Sequence, residues 1–424
     1  MADPQTNFEL TIEKLVYGGE GLGRVEGHVV FAPYVLPGER VLVERKSAKG
    51  GLVRTALREV LSRAEGRVEP PCPYFGRCGG CHYQHAGYEL QLEAKRSILR
   101  ETLRRVGKIE APDEIATVSG EPWGYRNRSQ FHVAGAAVGY LEAQSHTLCP
   151  ITHCPISAPR VNEVLAALLH MTLDGRWPRF VRSVEVFTNA KETQINVEAD
   201  RPVAKRFFEW CAEVVSGFVS GPLDYQAAGF TYRVGGASFF QVNRFLIDYL
   251  VHTAVGDAGG AWAVDLYAGV GLFSLPLGRQ FSRVTAVESG ASSARDLRFN
   301  AERAGVAVEV AQSTTEDFLR GLKDAPDFVL ADPPRTGLGR AVVARLAEIK
   351  PARITIVACD PATLARDLPA LLAAGYRIER LTMVDLFPQT FHFETVVEVG
   401  RTPGPPPGPR PTPRSASSPG EEIQ

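Results

Sequence analysis

The chain has 424 residues, 44% of them hydrophobic and 22% charged, with a formal net charge of −1. Those values are ordinary for a soluble globular protein of two or three domains, and near-neutrality removes overall charge as a sign of a nucleic-acid partner. No apolar run approaches the length of a bilayer span, and "MADPQTNFEL" lacks the basic start and apolar core of a signal peptide. We therefore expect a cytoplasmic protein with no membrane contact.

Residues 7 to about 63 alternate apolar and polar positions between Gly and Pro breaks, the pattern of a small β-barrel. The glycine cluster "YGGEGLGR" has no Gly-Lys-Ser/Thr ending and no helix after it, so it reads as hairpin rather than phosphate loop. Two basic stretches, Arg45 to Arg67 and "KRSILRETLRRVGK" (95–108), are solvated faces by default and a local polyanion footprint as the alternative. Between them lies "PPCPYFGRCGGCHYQH", with Cys72, Cys78 and Cys81. An odd total of seven cysteines argues against a disulfide framework in this compartment.

A helix is expected from Tyr88 to Val106, then mixed strands and helices to about 235, including a hairpin in "RSVEVFTNAKETQINVEA" and a helix in "VNEVLAALLHMTL". From Ala261 strands and helices alternate: "WAVDLYAG", "VTAVES", "DFVLADPP", "RITIVACD". That alternation predicts a parallel, doubly wound α/β sheet with ligands at the carboxyl ends of its strands, finished by an antiparallel pair. Residues 401–424 are Pro/Ser/Gly-rich and expected to be disordered.

Chemistry concentrates at these strand ends. "AVDLYAGVGLFSL" turns through Gly269 and Gly271 after Asp265, and Glu288 ends the next strand, where a carboxylate can hold ribose hydroxyls. Asp-x-x-x-Gly-x-Gly points to S-adenosylmethionine. "ADPPR" places Asp332 at another strand end; taken alone it suits methylation of a base amino group. Cys359, at the end of "ITIVAC", reads by itself as buried packing, but beside these turns it gains a role in carbon methylation that nitrogen methylation does not require. Uracil C5 is a poor nucleophile until a thiolate adds to C6, and a base must then remove the C5 proton. "FPQTFHFETV" offers His392 and Glu394 for that step.

The set "ASFFQVN", "DLYAGVGLFSLPL", "AVES", "DPPRTGL", "ACDPATLARD" and "DLFPQTFHFETV" resembles the RNA uracil-5-methyltransferase family over most of the chain. The resemblance implies a TRAM barrel (OB-like) over 1–65, a central α+β iron–sulfur domain over 66–238, and a Rossmann-like S-adenosylmethionine-dependent methyltransferase domain over 239–400. Helix 91–108 would pack on the last of these. It assigns Gln241, Tyr267, Glu288 and Asp332 to the cofactor, Cys359 to nucleophilic attack and Glu394 to proton abstraction. Where the family often has Ser-Cys-Asn-Pro, this chain has Ala358-Cys359-Asp360-Pro361.

For the cysteine motif, four thiolates suit zinc or a [4Fe–4S] cluster, and the resemblance favours the cluster. Cys154, in "CPISAPRVNE", matches the family's fourth ligand better than Cys149 does. Arg126 and Arg128 are expected phosphate contacts. The implied substrate is structured RNA, 23S rRNA first and tRNA second, acted on by a monomer. An RNA-binding protein with an inactive methyltransferase fold is the reading from another class.

Overall fold

The computed structural model describes residues 7–401. From 402 onward, the expected disordered tail lies outside the described residues. The N-terminal alternation yields β1 (Asn7–Thr11), β2 (Lys14–Leu15), β3 (Glu20–Val25), β4 (His28–Pro33), β5 (Arg40–Lys49) and β6 (Leu52–Ser62). They form one sheet in the order β1-β5-β6-β4-β3-β2 around buried Leu10, Val30, Val41, Val43 and Val53. The sheet curls until β3 lies against β1. Gly23 permits that approach, because a Cβ there would sit 2.3 Å from the Thr11 carbonyl oxygen. The result is a half-barrel of TRAM-like form.

Next come α1 (Tyr88–Thr102), a π-helical turn over Leu103–Gly107, and the short β7 (Ala116–Val118). A second sheet, ordered β10-β9-β8-β11-β12-β13, is built from β8 (Arg128–Ala134), β9 (Ala137–Leu141), β10 (Leu148–Pro150), β11 (Val181–Thr188), β12 (Thr193–Ala199) and β13 (Phe218–Val219). Helices α2 (Pro159–Leu173) and α3 (Lys205–Val214) share its core through Leu165, Leu168, Phe207 and Trp210. The hairpin β14 (Leu223–Ala227) and β15 (Phe230–Val234) buries Tyr232 and Val234 with residues of the last sheet, among them Phe328 and Leu330.

That last sheet begins after α4 (Ile247–Val255). It comprises β16 (Gly260–Leu266), β17 (Phe281–Val287), β18 (Val308–Ala311), β19 (Phe328–Ala331), β20 (Arg353–Ala358), β21 (Tyr376–Val384) and β22 (Glu394–Arg401). The intervening helices are α5 (Ser274–Leu277), α6 (Ala291–Ala304), α7 (Thr315–Gly321), α8 (Gly339–Ile349) and α9 (Pro361–Ala373). Strands such as "FVLA" are apolar throughout because helices cover both faces of the sheet. Its order is β18-β17-β16-β19-β20-β22-β21-β7. The antiparallel finish is present, since β22 runs opposite to β20 and β21. The outer edge is β7, from the N-terminal half of the chain, which the sequence pattern did not reveal. Strand order reverses between β16 and β19, which opens a crevice at their carboxyl ends.

The loop joining β21 to β22 is held from several directions. Lys95 of α1 donates to Asp385 Oδ1 at 2.6 Å, both side chains being fully buried. The same ammonium reaches the Phe387 carbonyl at 3.1 Å, and the Tyr88 hydroxyl donates to Asp385 Oδ2 at 2.9 Å. Gln91 accepts from the Gln389 backbone N–H and donates to the Gln389 side-chain oxygen. The backbone N–H groups of His82 and Tyr83 donate to the Gln389 carbonyl at 2.8 and 3.0 Å. From outside this stretch, the Tyr125 hydroxyl reaches the Pro388 carbonyl and Asn243 the Leu386 carbonyl.

Removing one charge of the buried pair strands the other. Lys95→Met is expected to lower unfolding free energy by about 3–5 kcal/mol, and Lys95→Met with Asp385→Leu to recover most of that loss. Chemical denaturation measures both. An unchanged midpoint for the single variant would show that the pair is not holding the loop.

Candidate active site

The crevice is lined first by the turn after β16. Tyr267 lies at φ +61°, an uncommon conformation for a bulky residue, and Gly269 and Gly271 follow at +55° and +95°. A Cβ on Gly271 would come within 3.2 Å of Leu297, so close packing of the turn on α6 also favours glycine there. Glu288 closes the turn from β17, accepting the Gly269 N–H at 2.9 Å and the Gly290 N–H at 2.6 Å. Each of its oxygens keeps a lone pair for a ribose hydroxyl. Gln241 is buried in the segment between β15 and α4, and Asp332 ends β19 with its N–H on the Leu266 carbonyl.

Asp265, the first residue of the Asp-x-x-x-Gly-x-Gly turn, is fully buried and accepts from the Ser274 hydroxyl at 2.5 Å. Burial pushes its carboxyl up to about 7; the Ser274 bond opposes the shift, and Asp332 and Glu288 add to it. Asp332 is likewise raised to about 7 by burial. Glu394 is raised well above the usual carboxylate range by burial and then by Asp332, with Arg335 acting the other way. Asp265 Oδ1 and Glu394 Oε2 are buried without hydrogen-bond partners among the described residues. Such a group of under-compensated acids suits a cationic ligand.

Cys359 stands one residue beyond β20. The register pairs Ala358 with Thr395, which brings Cys359 beside Glu394 across the sheet edge. Burial lifts the thiol to about 12, Glu394 and Asp332 add to the rise, and Arg335 lowers it. Asp360 acts locally, its Oδ1 accepting from the Ala362 and Thr363 N–H groups and capping α9. Carboxylate and amide oxygens both serve as caps, so the change from the family's Asn keeps that function. His392 is ring-packed against Phe391 at 4.0 Å, and burial holds its pKa down to about 3. It is therefore neutral at ordinary pH. One contact was not legible in the sequence: the Tyr17 hydroxyl, from the half-barrel, donates to the Cys359 carbonyl at 3.1 Å.

Cys72, Cys78, Cys81 and Cys154 line one cavity of about 270 Å³, which Cys149 does not line. Burial raises the Cys72, Cys78 and Cys81 thiols, Cys78 to about 11, and the neighbouring cysteines raise them further. Asn162 of α2 fixes Cys154 by accepting its N–H and donating to its carbonyl. Among the described residues, no three His, Cys, Asp or Glu side chains are drawn together as for a single metal ion.

Two expectations about basic residues need correction. Arg128 is buried, pairs with Glu185 at 2.7 Å and donates to the Ser238 carbonyl, so it is committed internally rather than offered to phosphate. The basic run of the half-barrel keeps its default reading as a solvated face: Arg54 pairs with Glu20, and Arg58 and Lys46 with Glu44, while each cation stays about half exposed; Arg67 pairs with buried Glu39. In the second run Lys95 is buried, and Arg105 faces Glu101.

A thiol raised this far is un-ionised near neutrality and alkylates slowly. In the free protein, iodoacetamide labelling of the Cys359 peptide, followed by mass spectrometry, should rise with pH and have its midpoint well above 9. A midpoint below 8 would mean that the free site already holds a thiolate.

The family model described as tRNA (Uracil-5-)-methyltransferase matches residues 156–402. An uncharacterized RNA methyltransferase of Aquifex aeolicus is 32% identical over 92% of this chain and 97% of its own. The 23S rRNA (uracil(1939)-C(5))-methyltransferase RlmD of Alkalilimnicola ehrlichii is 31% identical over 93% of this chain and 96% of its own. Among solved structures, Pyrococcus abyssi tRNA (uracil-54, C5)-methyltransferase, in complex with S-adenosyl-L-homocysteine, has a TM-score of 0.72 and 25% identity. That match covers 92% of this chain and all of the other. With a family model over more than half its length and a relative of this identity across nearly all of it, the chain belongs to the S-adenosylmethionine-dependent RNA (uracil-5-)-methyltransferases.

Proposed function

We propose that the enzyme methylates C5 of one uridine in 23S rRNA through a covalent bond between Cys359 Sγ and uracil C6. The observation that carries this is the meeting of Cys359, Glu394 and Asp332 at one sheet edge, where each acid alters the ionisation of the thiol. Gln241, Tyr267, Glu288 and Asp332 would hold S-adenosylmethionine, which supplies an electrophilic methyl group on a cationic sulfur. Cys359 gives up its thiol proton to the medium, and Sγ bonds to C6. The C5–C6 π electrons then make C5 nucleophilic, and C5 accepts the methyl group. Glu394 takes the proton from C5, the double bond re-forms, and the thiolate leaves.

Glu394 must be ionised to act as base, although burial and Asp332 favour its protonated form. A cationic ligand and Arg335 both favour ionisation, so the base becomes competent when the site is filled. The family match leaves the base-amino reading without support. A tRNA uridine remains the second reading, because the tRNA enzyme of Pyrococcus abyssi is similar over nearly the whole chain.

The cysteine cavity is read as a [4Fe–4S] site held by Cys72, Cys78, Cys81 and Cys154. Four thiols around one cavity supply the donor set. The same reading divides the chain at residues 1–65, 66–238 and 239–400 and takes the enzyme to be a cytoplasmic monomer.

Cys359→Ala is expected to abolish methyluridine formation while keeping the wild-type affinity for S-adenosylhomocysteine. Residual C5 methylation would make the cysteine a packing residue. Mass-spectrometric mapping of methyluridine in rRNA and tRNA from a deletion strain tests the substrate; loss confined to tRNA would replace 23S rRNA.

For the cluster, protein purified without oxygen should be brown and carry about four irons per chain. Iron should be lost in Cys154→Ser and retained in Cys149→Ser. Colourless protein with one zinc would refute the assignment.

A further inference from the structure

Tyr17 belongs to the half-barrel, yet its side chain lies in the catalytic centre. A tight turn between β2 and β3 presents it, closed by the Val16 N–H on the Glu20 carbonyl and the Gly19 N–H on the Val16 carbonyl. Gly18 and Gly19, at φ +113° and +88°, let the chain reverse immediately after it. Gly19 also lies against His82, where a Cβ would be 3.0 Å from the ring, so the tip is seated on the cysteine segment.

At the far end of the side chain, the hydroxyl donates to the Cys359 carbonyl at 3.1 Å. That carbonyl falls outside the regular backbone pattern. It lies past the last ladder pair of β20, while the carbonyl taken into α9 is that of Asp360. Among the described residues, Tyr17 is its hydrogen-bond partner. The ring stands edge-on to Phe391 at 5.2 Å and to Phe393 at 6.2 Å, on the segment that leads into Glu394. Burial and the neighbouring Asp360 and Cys359 keep the phenol un-ionised, so it acts as a donor.

We propose that Tyr17 is a positioning residue for the methyl-transfer reaction: its hydroxyl fixes the peptide that carries the Cys359 thiol, and its ring braces the approach to Glu394. The half-barrel is then a structural part of the active site. This rests on the reading of Cys359 as the nucleophile, and the two can fail separately.

The test uses the full-length enzyme and transcripts of 23S rRNA and tRNA made with 5-fluorouridine in place of uridine. With the methyl donor present, covalent complex formation is followed by rapid quench and denaturing electrophoresis. Tyr17→Phe keeps the ring and loses the donor. Its adduct should form about tenfold more slowly, at full amplitude and with RNA and S-adenosylhomocysteine affinities within about twofold of wild type. Tyr17→Ala should show the same slowing and, on ordinary uridine RNA, should also discharge its adduct more slowly than Tyr17→Phe does. A purely structural role would instead reduce the amplitude or the RNA affinity and leave the rate constant unchanged. That result, or a wild-type rate in Tyr17→Phe, overturns the proposal. If the wild type forms no adduct, Cys359 is not the nucleophile and the inference falls with it.

Discussion

The buried contact between Lys95 and Asp385 sets the geometry on which the catalytic edge depends. An ammonium and a carboxylate at 2.6 Å, both without solvent exposure, are stable only while each satisfies the other. Lys95 sits on α1 and Asp385 at the start of the loop that runs into Glu394, so the pair welds the N-terminal half of the chain to the last hairpin of the catalytic sheet. Tyr88, Gln91 and the backbone at His82 and Tyr83 add directional hydrogen bonds to the same loop. Of these, the charge pair is the contact most costly to break.

This arrangement explains why the last sheet, whose strand ends carry the proposed chemistry, keeps long-range contacts to segments before it. The switch-point crevice can take a nucleoside-bearing cofactor with local residues alone, because Glu288 and the Gly269–Gly271 turn organise each other. The proposed nucleophile and base cannot be aligned so locally. Cys359 follows one strand, Glu394 begins another, and the loop leading to Glu394 has few backbone partners of its own. Its partners come from α1, from the cysteine segment and, through Tyr17, from the half-barrel. A group bound by the four cysteines would lie in the same short segment as His82 and Tyr83, and would stiffen one wall of the catalytic loop.

The sequence made the alternating sheet and its strand-end motifs legible because both are short-range signals. Apolar runs followed by Gly turns define β16 and β19, and "CDPAT" carries its own helix cap in Asp360. Charge patterns were a poorer guide. Arg128 and Lys95 looked like solvent-facing cations, but strand pairing and helix docking buried each against an acid distant in sequence. Strand β7 is too short for a periodic signal, and its place at the sheet edge follows from pairing with β21. Tyr17 was out of reach for the same reason: its partner is 342 residues away, and nothing in "YGGEGLGR" reports it. Spacing grouped three of the cysteines, whereas their common cavity with Cys154 depends on how α2 and Asn162 hold that residue.

In the proposed reaction, Cys359 and Glu394 act in succession on one uracil ring. Glu394→Gln separates the two steps, since the amide cannot take the C5 proton while the thiol can still add to C6. Incubated with S-adenosylmethionine and substrate RNA, this variant should accumulate a complex that survives denaturation, and peptide mapping should place the nucleotide on Cys359, already methylated. Full turnover with no retained complex, or a nucleotide found on another residue, would contradict the account.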